Sequence, residues 1–176
     1  MTKKFENLEY LKSGNPRQKR VYHVLTKNHI LEKLNVYNPI LVGTIPIEID
    51  IKKSDLDIIC CYKNKDEFAK HITENFGLFQ KFRIRQTNKF DSPAVIAGFK
   101  TDGFEIEIFG QNIPVKQQNA YRHIIIENKL LTEKSEPFKK EIIRLKKQGI
   151  KTEPAFAAVM GLKGDPYEEL LKFEIL

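Results

Sequence analysis

The chain has 176 residues, 41% of them hydrophobic and 30% charged, which excludes a disordered chain and fits one soluble domain with a real core. No apolar run reaches the roughly eighteen residues needed to cross a bilayer, and the first residues, MTKKFENLEY, lack the apolar centre of a signal peptide. The formal net charge of +7 suits a nucleic-acid or polyphosphate partner as well as a merely solubilising surface.

Residues 1–14 read as a short helical turn or arm ending at Ser13-Gly14. Asn15-Pro16 predicts an N-cap with proline in the first turn. Val21, Val24, Leu25, Leu31 and Leu34 then fall at helical spacing, predicting one long helix to Leu34. Asn38-Pro39 leads into a strand at Ile40–Val42. A polar crossing follows, and a second strand runs from about Asp55 to Tyr62. A helix over about Asp66 to Asn75 buries Phe68 and Ile72 and ends at Gly77. The strand Leu78 to Thr87 alternates so that Lys81, Arg83 and Arg85 share one face, either a phosphate-binding stripe or the charged guard of a sheet edge. A turn over Asn88–Pro93 precedes a hairpin of Val95–Lys100 and Phe104–Phe109 around Asp102-Gly103. The rest is helical: about Gln117 to Leu131; a helix capped by Ser135-Glu136-Pro137 that ends before Gly149; a short one near Pro154–Met160 that Thr152 can cap; and a last one after Asp165-Pro166.

Cys60 and Cys61 are adjacent with no third cysteine, so there is no disulfide framework and a reducing cytoplasm is expected. His23, His29, His71 and His123 are scattered, without zinc-ligand spacing. Asp55 and Asp57 are the informative acids. Spaced by one residue at a strand edge, they share a side of the sheet and repel each other unless a cation or a proton lies between them. Glu105 and Glu107 lie on a later strand, and if the strands are neighbours three or four carboxylates converge. Hard oxygen ligands in that number suit Mg²⁺ held together with substrate phosphates. Gly43-Thr44, after the first strand, offers close backbone approach and a hydroxyl to an anion.

The pattern apolar-Gly-Thr (Val42-Gly43-Thr44), ten residues (Ile45 to Ser54), then Asp55-Leu56-Asp57-Ile58 resembles the signature of the DNA polymerase beta-like nucleotidyltransferase superfamily. Ile106-Glu107-Ile108 resembles its third-carboxylate triplet, although Phe104-Glu105-Ile106 fits too; Glu107 is preferred because its strand is expected to end close by at Gly110. The order of elements is similar to the head of CCA-adding enzymes. The strings GTIPIEI, SDLDI, EIFGQ, QNAYRH, KTEPAFA and GDPY resemble a small bacterial family of unknown function within that superfamily. Thr44 stands where the superfamily has Gly or Ser, and Glu107 where Asp is commoner.

The resemblance implies an α+β nucleotidyltransferase fold: a mixed, mainly antiparallel sheet of about five strands with helices packed on one face. Residues 1–176 would be a single domain, the C-terminal helices from about 114 to 176 packed onto the sheet. It implies a metal-dependent transfer of a nucleoside monophosphate from a nucleoside triphosphate to a hydroxyl acceptor that is a small molecule, a protein or RNA. Asp55, Asp57 and Glu107 would be the catalytic and metal-binding acids for Mg²⁺ or Mn²⁺, with Glu107 helping to deprotonate the acceptor. Gly43, Thr44, Ser54, Lys81, Arg83, Arg85 and Lys151 would face the nucleotide, and Arg122 is a further basic candidate.

Lys151, just before a helix start, meets a phosphate there or is a solvated linker residue. His123 and Glu127, four apart on a helix, form an acid–base pair or, more commonly, decorate a surface. Gln111 and Gln118 are candidates to read a base or sugar. The rival of another class is a catalytically silent nucleotidyltransferase-like domain that binds nucleic acid or a protein partner. Glycosyltransferases and haloacid dehalogenase-like phosphatases also use Asp-x-Asp, but with a different chain length or motif context.

Overall fold

The computed structural model describes residues 2–89 and 92–175. The chain divides into two compact units: Met1–Val42 with Asp55–Gln118, and Gly43–Ser54 with Asn119–Leu176. The first holds the sheet. Its five strands are β1 (Ile40–Val42), β2 (Leu56–Cys61), β3 (Gln80–Thr87), β4 (Ala94–Thr101) and β5 (Phe104–Gln111). They lie in the order β1-β2-β5-β4-β3. β1–β2, β4–β5 and β3–β4 are antiparallel and β2–β5 is parallel, so the sheet is mixed and mainly antiparallel, as expected.

Helices α1 (Glu9–Lys12), α2 (Pro16–Lys27), α3 (Ile30–Lys33) and α4 (Lys65–Phe76) belong to this unit. Asn15 caps α2 in a reciprocal capping box with Gln18, and Pro16 takes the first turn, where its missing N–H costs nothing. The predicted long helix to Leu34 is interrupted: His29 adopts a left-handed φ of 53°, and α3 restarts one residue later. The apolar spacing survives the break because Leu25, Ile30 and Leu34 are all buried.

The β4–β5 turn is the predicted Asp-Gly turn, with φ of 46° at Asp102 and 83° at Gly103, the left-handed pair of a tight hairpin. It is tied to α2: Lys27 and Asn28 donate to the Asp102 carboxylate at 2.9 and 2.8 Å, and Arg20 donates to its carbonyl at 2.9 Å. These charge-assisted bonds hold the Asp102 carboxyl below its usual range, the Asn28 and Lys27 bonds first.

One sheet face carries Leu56, Ile58, Ile106, Ile108, Ala97 and Phe99, all buried. α4 packs there, stacking Phe76 on Phe99 with ring centroids 5.2 Å apart. Gly110 is part of this packing: a Cβ there would stand 2.2 Å from the Phe68 ring. β5 therefore does not end at Gly110 to open a site; it continues to Gln111, and Glu107 lies in mid-strand.

The second unit contains α5 (Asn119–Glu133), α6 (Glu136–Lys147), α7 (Thr152–Met160) and α8 (Pro166–Leu171). Asp165 caps α8, whereas Ser135 stands at the N-cap of α6 without a side-chain bond. Lys151, not Thr152, is the N-cap residue of α7, and Thr152 accepts from Lys146 at 2.9 Å instead. The Gly43–Ser54 segment also departs from its reading as a polar crossing. Ile45, Ile47 and Ile49 are buried, and Lys139 on α6 donates to Glu48 at 3.2 Å. His123 and Glu127 are not surface decoration, being 6% and 4% exposed. His123 donates to the Tyr167 carbonyl at 2.9 Å and stands 3.6 Å from Glu153. Burial first, then the Glu153 charge, pushes the Glu127 carboxyl well up, against the pull of Lys146.

Two outcomes follow. Phe99→Ala removes a stacked, fully buried ring and is expected to lower unfolding free energy by about 3–5 kcal/mol. Leu78→Ala, at a fully exposed side chain, should stay within about 0.5 kcal/mol; urea denaturation measures both. Glu127 titrates higher in the folded chain than in the unfolded one, so its contribution to stability is full below the usual Glu range and is lost as pH rises through the folded value. Glu127→Gln should therefore raise Tm relative to wild type at pH 8 and lose that advantage at pH 4, read by thermal scans at both.

Candidate active site

Leu56, Ile58, Ile106 and Ile108 alternate with acids along β2 and β5, so burying the apolar set on one face forces the acids to the other. The parallel register pairs Leu56 with Ile106, Asp57 with Glu107 and Ile58 with Ile108. Paired residues on neighbouring strands stand on one face, so the carboxylates of Asp57 and Glu107 lie side by side. Asp55, exposed, is the last residue before β2. Its charge acts on Glu107, whose carboxyl is raised by burial first and then by Asp55, while Arg85 and Arg83 pull it down. The structure thus gathers the three acids singled out in the sequence.

Glu105 shares this face but is differently placed. Arg83 donates to it at 2.7 Å and Lys100 stands 3.6 Å away. The Arg83 bond, ahead of any other cause, holds its carboxyl below the usual range. Glu105 is therefore already neutralised by cations, whereas Glu107 is the acid in register with Asp57.

The basic stripe is partly redrawn. Gln80 pairs with Lys100 and Arg83 with Gly98, a register shift that puts Lys81, with a left-handed φ of 56°, inside a bulge. Arg83 and Arg85 keep the face of the acids; Lys81 leaves the alternation. β3 is a sheet edge, as the charge-guard reading expected. One feature had no signal in the alternation. Gly98 on β4 is the register partner of both Arg83 and Glu107. A Cβ on Gly98 would stand 2.7 Å from the Arg83 Cζ, so the absent side chain is what lets the guanidinium lie across β4 to reach Glu105 on β5.

The other sequence candidates are distributed as follows. Gly43 follows Val42, the register partner of Asp57, and has a φ of 79°, which favours glycine. The Thr44 hydroxyl donates to the Ser54 hydroxyl at 3.2 Å, and Ser54 also accepts from the Ile51 N–H at 2.9 Å. Lys151 is exposed at the start of α7, and Arg122 bonds Asn119 at 3.2 Å. Gln111 donates to the Ser92 carbonyl at 3.0 Å, and Gln118 to the Cys60 and Ile113 carbonyls at 2.9 Å. These two amides tie strands and loops together.

Among the described residues no three His, Cys, Asp or Glu side chains form a ready-made metal cluster. The donor set nonetheless fits Mg²⁺, which is ordinarily bound through one or two carboxylates plus substrate phosphates rather than in an all-protein cage. Asp57 and Glu107 supply such a pair on adjacent strands, with Asp55 beside it.

Comparison with solved structures relates this architecture to known proteins. The Cid1 poly(U) polymerase bound to MgGTP is similar with a TM-score of 0.56 at 13% identity, over 90% of this chain and 51% of that one. The GLD-2/RNP-8 complex gives 0.53 at 13% identity, over 90% and 60%. A cytoplasmic RNA terminal U-transferase gives 0.55 at 13% identity, over 83% and 48%. This chain thus spans between 48% and 60% of the length of those neighbours, and the likeness is one of nucleotidyltransferase fold. No curated protein matches the sequence. No described helix is long and apolar enough to cross a membrane. Residues 23–173 match a single family model across most of the chain, and the protein belongs to that family, described as Domain of unknown function (DUF4269).

Proposed function

We propose that this chain is a metal-dependent nucleotidyltransferase that moves a nucleoside monophosphate from a nucleoside triphosphate to a hydroxyl acceptor. The observation that carries the reading is the in-register pair Asp57–Glu107 on parallel strands, with the Asp55 charge beside it. The nucleotidyltransferase fold of the structural neighbours supports it. Asp55, Asp57 and Glu107 are the residues that would hold Mg²⁺ or Mn²⁺. When bound, such an ion neutralises triphosphate charge and makes a hydroxyl more acidic.

The acceptor oxygen forms a bond to the α-phosphorus as the bond from that phosphorus to the bridging oxygen breaks. Pyrophosphate leaves with the electron pair, and the hydroxyl proton passes to the Glu107 carboxylate. Gly43, through its backbone N–H, and the hydroxyls of Thr44 and Ser54 serve as phosphate contacts, with Lys151 and Lys81 as further cationic candidates. Chemistry of this kind depends on positioning and charge neutralisation more than on covalent catalysis. A cytoplasmic setting, consistent with the free thiols of Cys60 and Cys61, supplies both nucleotide and metal.

The test is Mg²⁺-dependent binding of each nucleoside triphosphate, followed by calorimetry, to wild type and to the Asp55→Asn/Asp57→Asn double variant. Binding that needs Mg²⁺ and falls at least tenfold in the variant is expected. Identical behaviour of the two proteins would sink the reading and leave a nucleotidyltransferase-like domain that binds nucleic acid or protein.

A further inference from the structure

We infer that the acceptor carries a phosphate close to its reacting hydroxyl, and that this phosphate docks on Arg83 and Arg85, on the β4–β3 side of Glu107. The inference rests on the nucleotidyltransferase reading and selects among its open acceptors: an anionic acceptor is favoured and a cationic one excluded.

One row of register partners crosses the whole sheet in the order Val42, Asp57, Glu107, Gly98, Arg83. Gly43, the proposed contact for the triphosphate, follows the first residue of that row. Arg83 is at the far end, but its guanidinium is not. It lies over Gly98, with Cζ 2.7 Å from where a Cβ would be. Strands are spaced by about 4.8 Å, so the cation is about one strand from Glu107 and about 10 Å, two strands, from Asp57. A phosphate touching that guanidinium is therefore too far from Asp57 to be the one the Asp55–Asp57 pair handles. It belongs to a second group, next to the acid that takes the acceptor's proton.

Arg83 can hold such a group. Its recorded bond to Glu105 uses one of five guanidinium donors, and that contact orients the side chain along β4 before a ligand arrives. Arg85 is two residues on, on the same face, and both arginine charges act on Glu107. Gly98 is the enabling position. Any side chain there pushes the guanidinium back toward the sheet edge without altering the charge of the protein.

The experiment measures binding without turnover, so it stands apart from the nucleotide test above. A fluorescein-labelled hexaribonucleotide with a free 3′ hydroxyl is titrated by anisotropy in Mg²⁺ and a non-hydrolysable nucleoside triphosphate, with wild type, Arg83→Gln/Arg85→Gln and Gly98→Ala. Affinity should fall about tenfold in the double variant, and by a larger factor than its affinity for the triphosphate. The salt slope should fall by about 1.4 for two lost single-strand phosphate contacts. Gly98→Ala, which keeps every charge, should weaken binding in the same direction. Competition by AMP as well as by unlabelled hexamer assigns the site to a mononucleotide phosphate; competition by the hexamer alone assigns it to an oligonucleotide end. Both outcomes support the inference. It is overturned if neither phosphate-bearing compound binds wild type, or if both variants bind as wild type does. It is overturned equally if triphosphate affinity falls as much as hexamer affinity, or if adenosine or an aminoglycoside competes as well as AMP.

Discussion

The parallel pairing of β2 with β5 is the constraint on which the candidate site depends. It joins two segments separated by more than forty residues and sets Asp57 beside Glu107. Its register is held by hydrophobic burial rather than by the acids, which oppose each other. A slip of one residue would turn Leu56, Ile58, Ile106 and Ile108 out of the core and carry the carboxylates into it. Fully burying each such side chain contributes about 1.5–3 kcal/mol, and removing carboxylates from water costs several more. Several kcal/mol thus oppose a slip, against a modest repulsion between two half-exposed acids.

That repulsion is managed on the same face. β4 and β3 bring Lys100, Arg83 and Arg85 opposite the acids of β5. The pair Arg83–Glu105 is largely exposed, with side chains 57% and 37% accessible, so it adds at most about 1 kcal/mol of stability. Its consequence is positional: a guanidinium is fixed over Gly98, one strand from Glu107. The acid not claimed by a cation is the one next to Asp57. The division of labour between Glu105 and Glu107 therefore follows from which cross-strand partner each meets, Lys100 for one and Gly98 for the other.

How much of this was legible in the sequence depended on the range of the signal. The strands around Asp57 and Glu107 show period-two alternation, the Asp102-Gly103 turn demands left-handed backbone, and Asn15-Pro16 announces a helix start; all are local and all are found. The break at His29 was hidden because buried residues on either side of it keep helical spacing. The bulge at Lys81 was hidden because an inserted residue leaves a run of cations looking regular. Burial of His123 and Glu127 could not be read from their polarity: composition says what a side chain costs to bury, and only tertiary partners such as the Tyr167 carbonyl offset that cost. Gly98 was the hardest to read. Within its strand it looks like an ordinary weakening of β propensity, and its meaning lies in residues fifteen positions before it and nine after it.

The same geometry bears on why a shared fold need not mean a shared acceptor. In the row that crosses this sheet, Asp57 and Glu107 occupy the middle, where a metal and a phosphate chain demand carboxylates whatever the second substrate is. The positions beyond Glu107, at Gly98 and Arg83, are not constrained by that chemistry. They lie toward an edge strand, where side chains are exposed and exchangeable at little cost to the core. An enzyme built on this sheet can therefore change its acceptor by changing β3 and β4 while β2 and β5 stay as they are. In this chain those strands bear a glycine that admits an arginine, with a second arginine beside it, and the surface next to Glu107 is set for an anion.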